Sequence, residues 1–101
     1  PRDPVVASRY ARSALAAGRP KQAIGPLLQT LDRYPNHAPA LSSLATAMFR
    51  SSNADLAQGA ATRAIAQNPF DPQPHCILSK LRVPQADHEA TLCDRLGGMR
   101  E

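Results

Sequence analysis

The sequence predicts an all-α fold of about six helices, and two observations indicate it. Eighteen of the 101 residues are alanine, whereas only four are aromatic and none is tryptophan. Alanine is the strongest helix former, and its small side chain lets helices pack closely. The second observation is a repeat, because Pro1, Pro35 and Pro69 are separated by 34 residues each time. A fixed period of this length is typical of chains built from stacked structural repeats.

Each period contains two patterns of apolar residues at helical spacing. We expect helices over about 4–17, 20–31, 38–51, 54–67, 72–83 and 85–96. Asp3, Asn53 and Asp71 are predicted N-caps, and proline follows Asp3 and Asp71 at the first helical position. Gly18 is predicted to end the first helix, and Gly97-Gly98 the last. Gly25-Pro26 falls inside the second helix, where we expect either a kink or a late helix start.

Several positions keep the same residue size at the 34-residue offset. They are Tyr10-Ala11, Leu44-Ala45 and Leu78-Ser79, Ala23 and Ala57, Leu31 and Ile65, Ala64, Gly18, and the closing Pro35 and Pro69. In these positions the chain resembles the tetratricopeptide repeat, a 34-residue helix–turn–helix unit. The resemblance covers two full repeats, about 4–37 and 38–71, and a degenerate third at 72–98, within one domain spanning 1–101.

This resemblance implies an α-α superhelix, or solenoid, of antiparallel helix pairs in which the first helix of each pair lines a concave groove. It also implies a protein-interaction module, not an enzyme, that holds a peptide or a partner's helix in that groove. The third unit departs from the family at His75, Arg82 and Pro84. We therefore expect this unit to be a cap whose last helix covers the exposed side of the second repeat.

The distribution of charge suggests which residues contact the ligand. The chain has twelve basic and eight acidic residues, for a formal net charge of +4. After their capping residues, the first helices are predicted to contain basic residues and no acid. Arg12, Thr46 and Lys80 also share one 34-residue column, and arginine binds carboxylates bidentately. We therefore predict that an acidic ligand contacts Arg9, Arg12, Thr46, Arg50 and Lys80. The alternative is that these cations are only solvated surface residues.

The two cysteines leave two alternatives open. Cys76 and Cys93 lie eight residues before and nine residues after Pro84, so a hairpin that turns there brings them to similar heights. We expect two free, partly buried thiols, and a Cys76–Cys93 disulfide is the alternative. The histidines and cysteines do not have metal-ligand spacing, so we expect no metal site. Asp87, His88 and Glu89 are interpreted as a solvated helix face, and His37 as a solvated turn residue.

Other classes of function have little support in the sequence. No catalytic motif or cofactor-binding motif is present, and the positive charge is too modest to indicate nucleic-acid binding. No apolar run approaches the roughly 20 residues that span a bilayer, so we expect no membrane insertion. Two alternatives to a simple interaction module stay open: a non-catalytic, substrate-recruiting segment of a larger enzyme such as a transferase, and a homo-oligomer formed through uncovered repeat ends. The composition is typical of bacteria, and we favour the cytoplasm over the periplasm.

Overall fold

The computed structural model describes residues 4–97 and folds them into six α-helices, with no strand in that range. The helices are α1 (Pro4–Ala16), α2 (Pro20–Arg33), α3 (Ala38–Arg50), α4 (Ala54–Gln67), α5 (Pro72–Ser79) and α6 (Ala86–Arg95). The predicted all-α fold of about six helices is therefore confirmed. The predicted cap at Asp3 and the predicted stop at Gly98 lie outside the described residues.

The turns within the first two hairpins have the same backbone geometry one period apart. Gly18 and Ser52 both have positive φ angles, of 74° and 62°. Each of them lies in a Schellman motif at the end of its helix. In the motif of Gly18, Arg19 N donates to Ala14 O, and in the motif of Ser52, Asn53 N donates to Met48 O, both at 2.8 Å. Glycine adopts this conformation without strain, whereas serine does not. The predicted helix stop at Gly18 is confirmed, and Ser52 has the same role without the glycine signal.

The helix starts agree only in part with the predicted caps. The Asp71 carboxylate accepts a hydrogen bond from Gln73 N at 3.1 Å, as predicted. Asn53 occupies the N-cap position of α4, but its side chain makes no capping hydrogen bond. His37 caps α3, because its Nδ1 accepts from Ala40 N at 3.2 Å. The prediction that His37 is merely a solvated turn residue is therefore wrong.

Pro26 does not delay the start of α2, which is continuous from Pro20 to Arg33. Proline has no backbone N–H, so one backbone hydrogen bond of the helix is missing at this point. The Pro26 carbonyl accepts an additional bond from the Thr30 hydroxyl at 3.0 Å. Of the two alternatives given by the sequence, a late start is excluded.

The largest boundary error concerns α5, which was predicted to reach Val83 and ends at Ser79. Lys80 N and Leu81 N donate to carbonyls three residues back, and Val83 N donates to Leu81 O, so the backbone tightens and then leaves the helix. Proline disfavours the helical conformation of the residue before it, so Pro84 keeps Val83 out of the helix, whereas no local signal marks the end at Ser79.

Each helix packs on the next one along the chain, and α1, α3 and α5 also pack side by side. The described residues form a compact body with a radius of gyration of 12.4 Å. Its centre is α3, in which every residue of 40–48 is buried. Within residues 4–97, α6 packs on α5 alone. The prediction that the last helix covers the second repeat is therefore wrong, because it is α5 that packs against α3 and α4.

Candidate functional site: a polar cleft along three helices

A cleft of about 630 Å³ lies along α1, α3 and the beginning of α5. It is lined by Arg12, Leu15, Ala16, Ala38, Pro39, Ser42, Ser43, Thr46, Arg50, Asn68, Asp71 and Gln73. Ser42, Thr46 and Arg50 follow one another at four-residue spacing, which places them on one side of α3. Because α1, α3 and α5 pack side by side, their polar residues form one continuous surface.

The hydroxyl of Thr46 is already committed to two hydrogen bonds inside the protein. It donates to Ser42 O at 3.2 Å and accepts from Gln73 Nε2 at 3.2 Å. Thr46 itself is only 5% exposed. Its hydroxyl therefore orients the amide of Gln73 in the cleft wall. The sequence predicted that Thr46 itself contacts the ligand, and the structure places the amide of Gln73 against its hydroxyl instead.

Arg50 also makes a structural contact. One of its guanidinium nitrogens donates to Leu15 O at 3.1 Å, near the carboxyl end of α1. A cation at this end of a helix interacts favourably with the unsatisfied carbonyls there. Arg50 therefore fixes the end of α3 to the end of α1 while its exposed side chain lines the cleft.

Arg12 is the cleft cation with the fewest internal contacts. Its side chain is exposed, and it forms no ion pair with any residue that the structure describes. Asp71 is the one acidic residue among those lining the cleft, and its carboxylate caps α5. The charged groups of the cleft are therefore two arginines on α1 and α3 and one aspartate at the start of α5.

The structure brings together only three of the five predicted contact residues. Arg12, Thr46 and Arg50 line the cleft, whereas Arg9 lines a neighbouring cavity of about 280 Å³ that Arg12 also borders. Lys80 is exposed beyond the end of α5 and does not line the cleft. The predicted column of Arg12, Thr46 and Lys80 does not line one site, because the cleft reaches only the start of α5, at Asp71 and Gln73, and Lys80 follows the last residue of this helix.

The sequence analysis missed three polar residues of the cleft, Asn68, Asp71 and Gln73. A signal for Gln73 was present, because it lies 34 residues after Pro39, which also lines the cleft. Asp71 lies 34 residues after His37, and both side chains cap a helix, whereas no such signal marks Asn68. The repeat therefore marks two of these three residues, Asp71 and Gln73.

The hairpin of α5 and α6 is held together by a disulfide between Cys76 and Cys93, whose Cα atoms are 4.9 Å apart. The expectation of two free thiols is therefore wrong, because an antiparallel pair of short helices brings the two side chains together. Both cysteines are buried, at 2% and 0% exposed, so the bond is part of the interior of this unit.

The same hairpin contains a buried polar pair. His75 Nδ1 lies 2.5 Å from a carboxylate oxygen of Glu89, and His75 Nε2 lies 2.9 Å from Pro69 O. Since the carbonyl of Pro69 can only accept, Nε2 carries a proton, and Nδ1 and Glu89 share another. Glu89 is 7% exposed, so its assignment to a solvated face is wrong, whereas Asp87 and His88 on the same helix are exposed.

Searches for other kinds of site give two negative findings for residues 4–97. No three His, Cys, Asp or Glu side chains in that range are grouped so that they could hold a metal ion. Across the same range, every helix is too short or too polar to cross a membrane.

Comparison with known proteins adds no assignment. No protein-family model and no curated protein sequence matches the chain. The ligand of the cleft therefore has to be inferred from the residues that line it.

Proposed function

We propose that the chain is a tetratricopeptide-like interaction module that binds a peptide or a partner's helix in the cleft along α1, α3 and α5. The 34-residue columns support this proposal, because residues in equivalent columns occupy equivalent turns in the first two hairpins. The volume of the cleft, about 630 Å³, is within the usual range of ligand sites.

The observation that carries the proposal is the combination of polar groups in the cleft. An extended peptide presents N–H and C=O groups that need hydrogen-bond partners when they leave water. The side chains of Ser42, Ser43, Asn68 and Gln73 supply such partners along the cleft. Gln73 uses its Nε2 on Thr46, and the described residues donate no hydrogen bond to its Oε1.

The charges of the cleft favour an acidic peptide. Arg12 has no acidic partner among residues 4–97, and a guanidinium group binds a carboxylate through two parallel hydrogen bonds. Asp71 at the α5 side disfavours a second carboxylate there. We therefore expect the acidic side chain of the bound peptide to lie near α1.

A peptide titration tests the proposal. Fluorescein-labelled acidic and neutral peptides of equal length are titrated with the chain at low and moderate salt. We expect saturable, salt-sensitive binding of the acidic peptide, which Arg12→Ala weakens by about fivefold, or ~1 kcal/mol.

Arg82→Ala is the matched control, because Arg82 is an exposed arginine that does not line the cleft. We expect it to leave the affinity unchanged. Equal losses in the two variants would indicate a nonspecific charge effect, and the absence of saturable binding for every peptide would contradict the proposal.

A further inference from the structure

One side of α1 is uncovered. Val6 and Tyr10 are four residues apart, as are Arg9 and Ser13, and each pair is offset from the other by three residues or one, so the four share one side of the helix. We call these four residues the end face. All four are exposed, and the two large apolar side chains, Val6 and Tyr10, are 49% and 48% exposed.

The equivalent side of α3 is buried. One period after the end face lie Ala40, Ser43, Leu44 and Ala47, which are 0%, 8%, 6% and 0% exposed. The preceding helix, α2, packs against α3. Residues of the same register are therefore buried in α3, around which α1, α2, α4 and α5 pack, and exposed in α1.

We infer that the end face binds an amphipathic helix of a partner protein, which covers Val6 and Tyr10 with aliphatic side chains and places a carboxylate opposite Arg9. The helix α2 shows what kind of element fits, because its buried residues include Leu27 and Leu31. Charge specifies the partner further. The helix α1 contains Arg9 and Arg12 but no acidic residue, and Arg9 forms no ion pair among residues 4–97.

A second copy of the chain fits the end face less well. In an antiparallel pairing of two end faces about their centre, which lies between Arg9 and Tyr10, the Arg9 residues of the two copies would be only one residue apart along the helices, and like charges this close are unfavourable. The opposite end of the molecule offers no apolar stripe, because the exposed residues of α6 are all polar. These are Asp87, His88, Thr91, Asp94 and Arg95. A different protein with an acidic amphipathic helix therefore fits best.

The first experiment uses a synthetic peptide that imitates α2. Its sequence is residues 19–34 with K21E and R33E, which make it acidic, and P26A, which lets it form a helix in isolation. Its binding to the 101-residue chain is followed by fluorescence anisotropy. We expect saturable binding, and we expect Tyr10→Glu to weaken it by about tenfold or more, because the new charge would be buried against apolar side chains.

Leu56→Glu is the matched control, since Leu56 is an equally large apolar residue that is 55% exposed on α4. It should leave peptide binding unchanged. Arg9→Ala should weaken binding by about fivefold, through loss of the charge-assisted contact. Circular dichroism checks that each variant keeps its helix content.

Three outcomes would overturn the inference. The first is no saturable binding of the peptide. The second is an equal loss in Leu56→Glu and Tyr10→Glu, which would mean that the peptide binds without preference for the end face. The third is a dimeric mass in sedimentation equilibrium that Tyr10→Glu converts to a monomer, which would identify a second copy as the occupant.

Discussion

The two ends of the helix stack are finished in different ways. At one end, α6 covers α5 and its most exposed side chains are polar, while a disulfide and the buried His75–Glu89 pair fix it in place. At the other end, α1 exposes Val6 and Tyr10, and no helix within residues 4–97 packs on that side. A stack of helical hairpins needs a polar outer face at each end to remain soluble by itself. The α6 end meets this requirement and the α1 end does not.

Within residues 4–97, the two ends therefore differ in how much apolar surface they expose. A partner that adds to the stack has a surface to bind at α1, whereas α6 offers none. The asymmetry also separates two kinds of stabilisation. The α6 end depends on local cross-links within a single hairpin, whereas the α1 end depends on its contacts with α2 and α3. The predictions that follow test this contrast, from the largest expected effect to the smallest.

Removing the Cys76–Cys93 disulfide should have the largest effect on the free energy of unfolding, because this bond joins α6 to α5. The bond spans a sequence separation of 17 residues. Closing a loop of this length lowers the entropy of the unfolded chain, and its loss should lower the free energy of unfolding by about 3 kcal/mol. Urea denaturation with and without a phosphine reductant measures this change.

The Cys76→Ala, Cys93→Ala double variant is the control for that experiment. It should already have the lower stability, and the reductant should not change it further. An unchanged midpoint for the wild-type chain after full reduction, verified by thiol titration, would contradict a stabilising role for the bond.

Breaking the buried polar pair should have the next largest effect. Glu89→Ala leaves His75 Nδ1 buried without its partner, and an unsatisfied buried group of this kind costs about 2 kcal/mol. Thermal denaturation of the oxidised protein measures the loss. Asp87→Ala is the matched control, because Asp87 is an exposed acid on the same helix and should change stability by less than ~0.5 kcal/mol. Equal effects would show that the pair contributes nothing specific.

The helices of the middle of the chain could be predicted from the sequence because their signals are local. The predicted range 54–67 coincides with α4, and the range 38–51 exceeds α3 by a single residue. Gly18 and Pro20 mark the turn between α1 and α2 without any knowledge of the packing. The 34-residue columns add the register of one hairpin against the next, which explains why Arg12, Thr46 and Arg50 were found to line the same cleft.

The third hairpin could not be predicted in the same way, because its structure depends on contacts between α5 and α6. Whether Glu89 points inward is decided by His75, fourteen residues away, and not by the acidic neighbours of Glu89. The pairing of Cys76 with Cys93 likewise depends on how two short helices are rotated about their axes. Lys80 was misplaced because its column gives its register along α5 but not how far the cleft extends, and the cleft reaches only the start of this helix.

Replacing Tyr10 should have the smallest effect, and it tests the open end directly. Tyr10 is 48% exposed, so Tyr10→Ala removes little buried area, and alanine has the higher helix propensity. We expect the free energy of unfolding to change by less than ~0.5 kcal/mol.

We also expect the unfolding midpoint of the wild-type chain to be independent of protein concentration, because no second copy covers the end face. A midpoint that rises with concentration in the wild-type chain but not in Tyr10→Ala would show that self-association closes this end. An unfolding midpoint that does not depend on protein concentration, together with binding of the acidic peptide, would show that the end face prefers an acidic helix to a second copy.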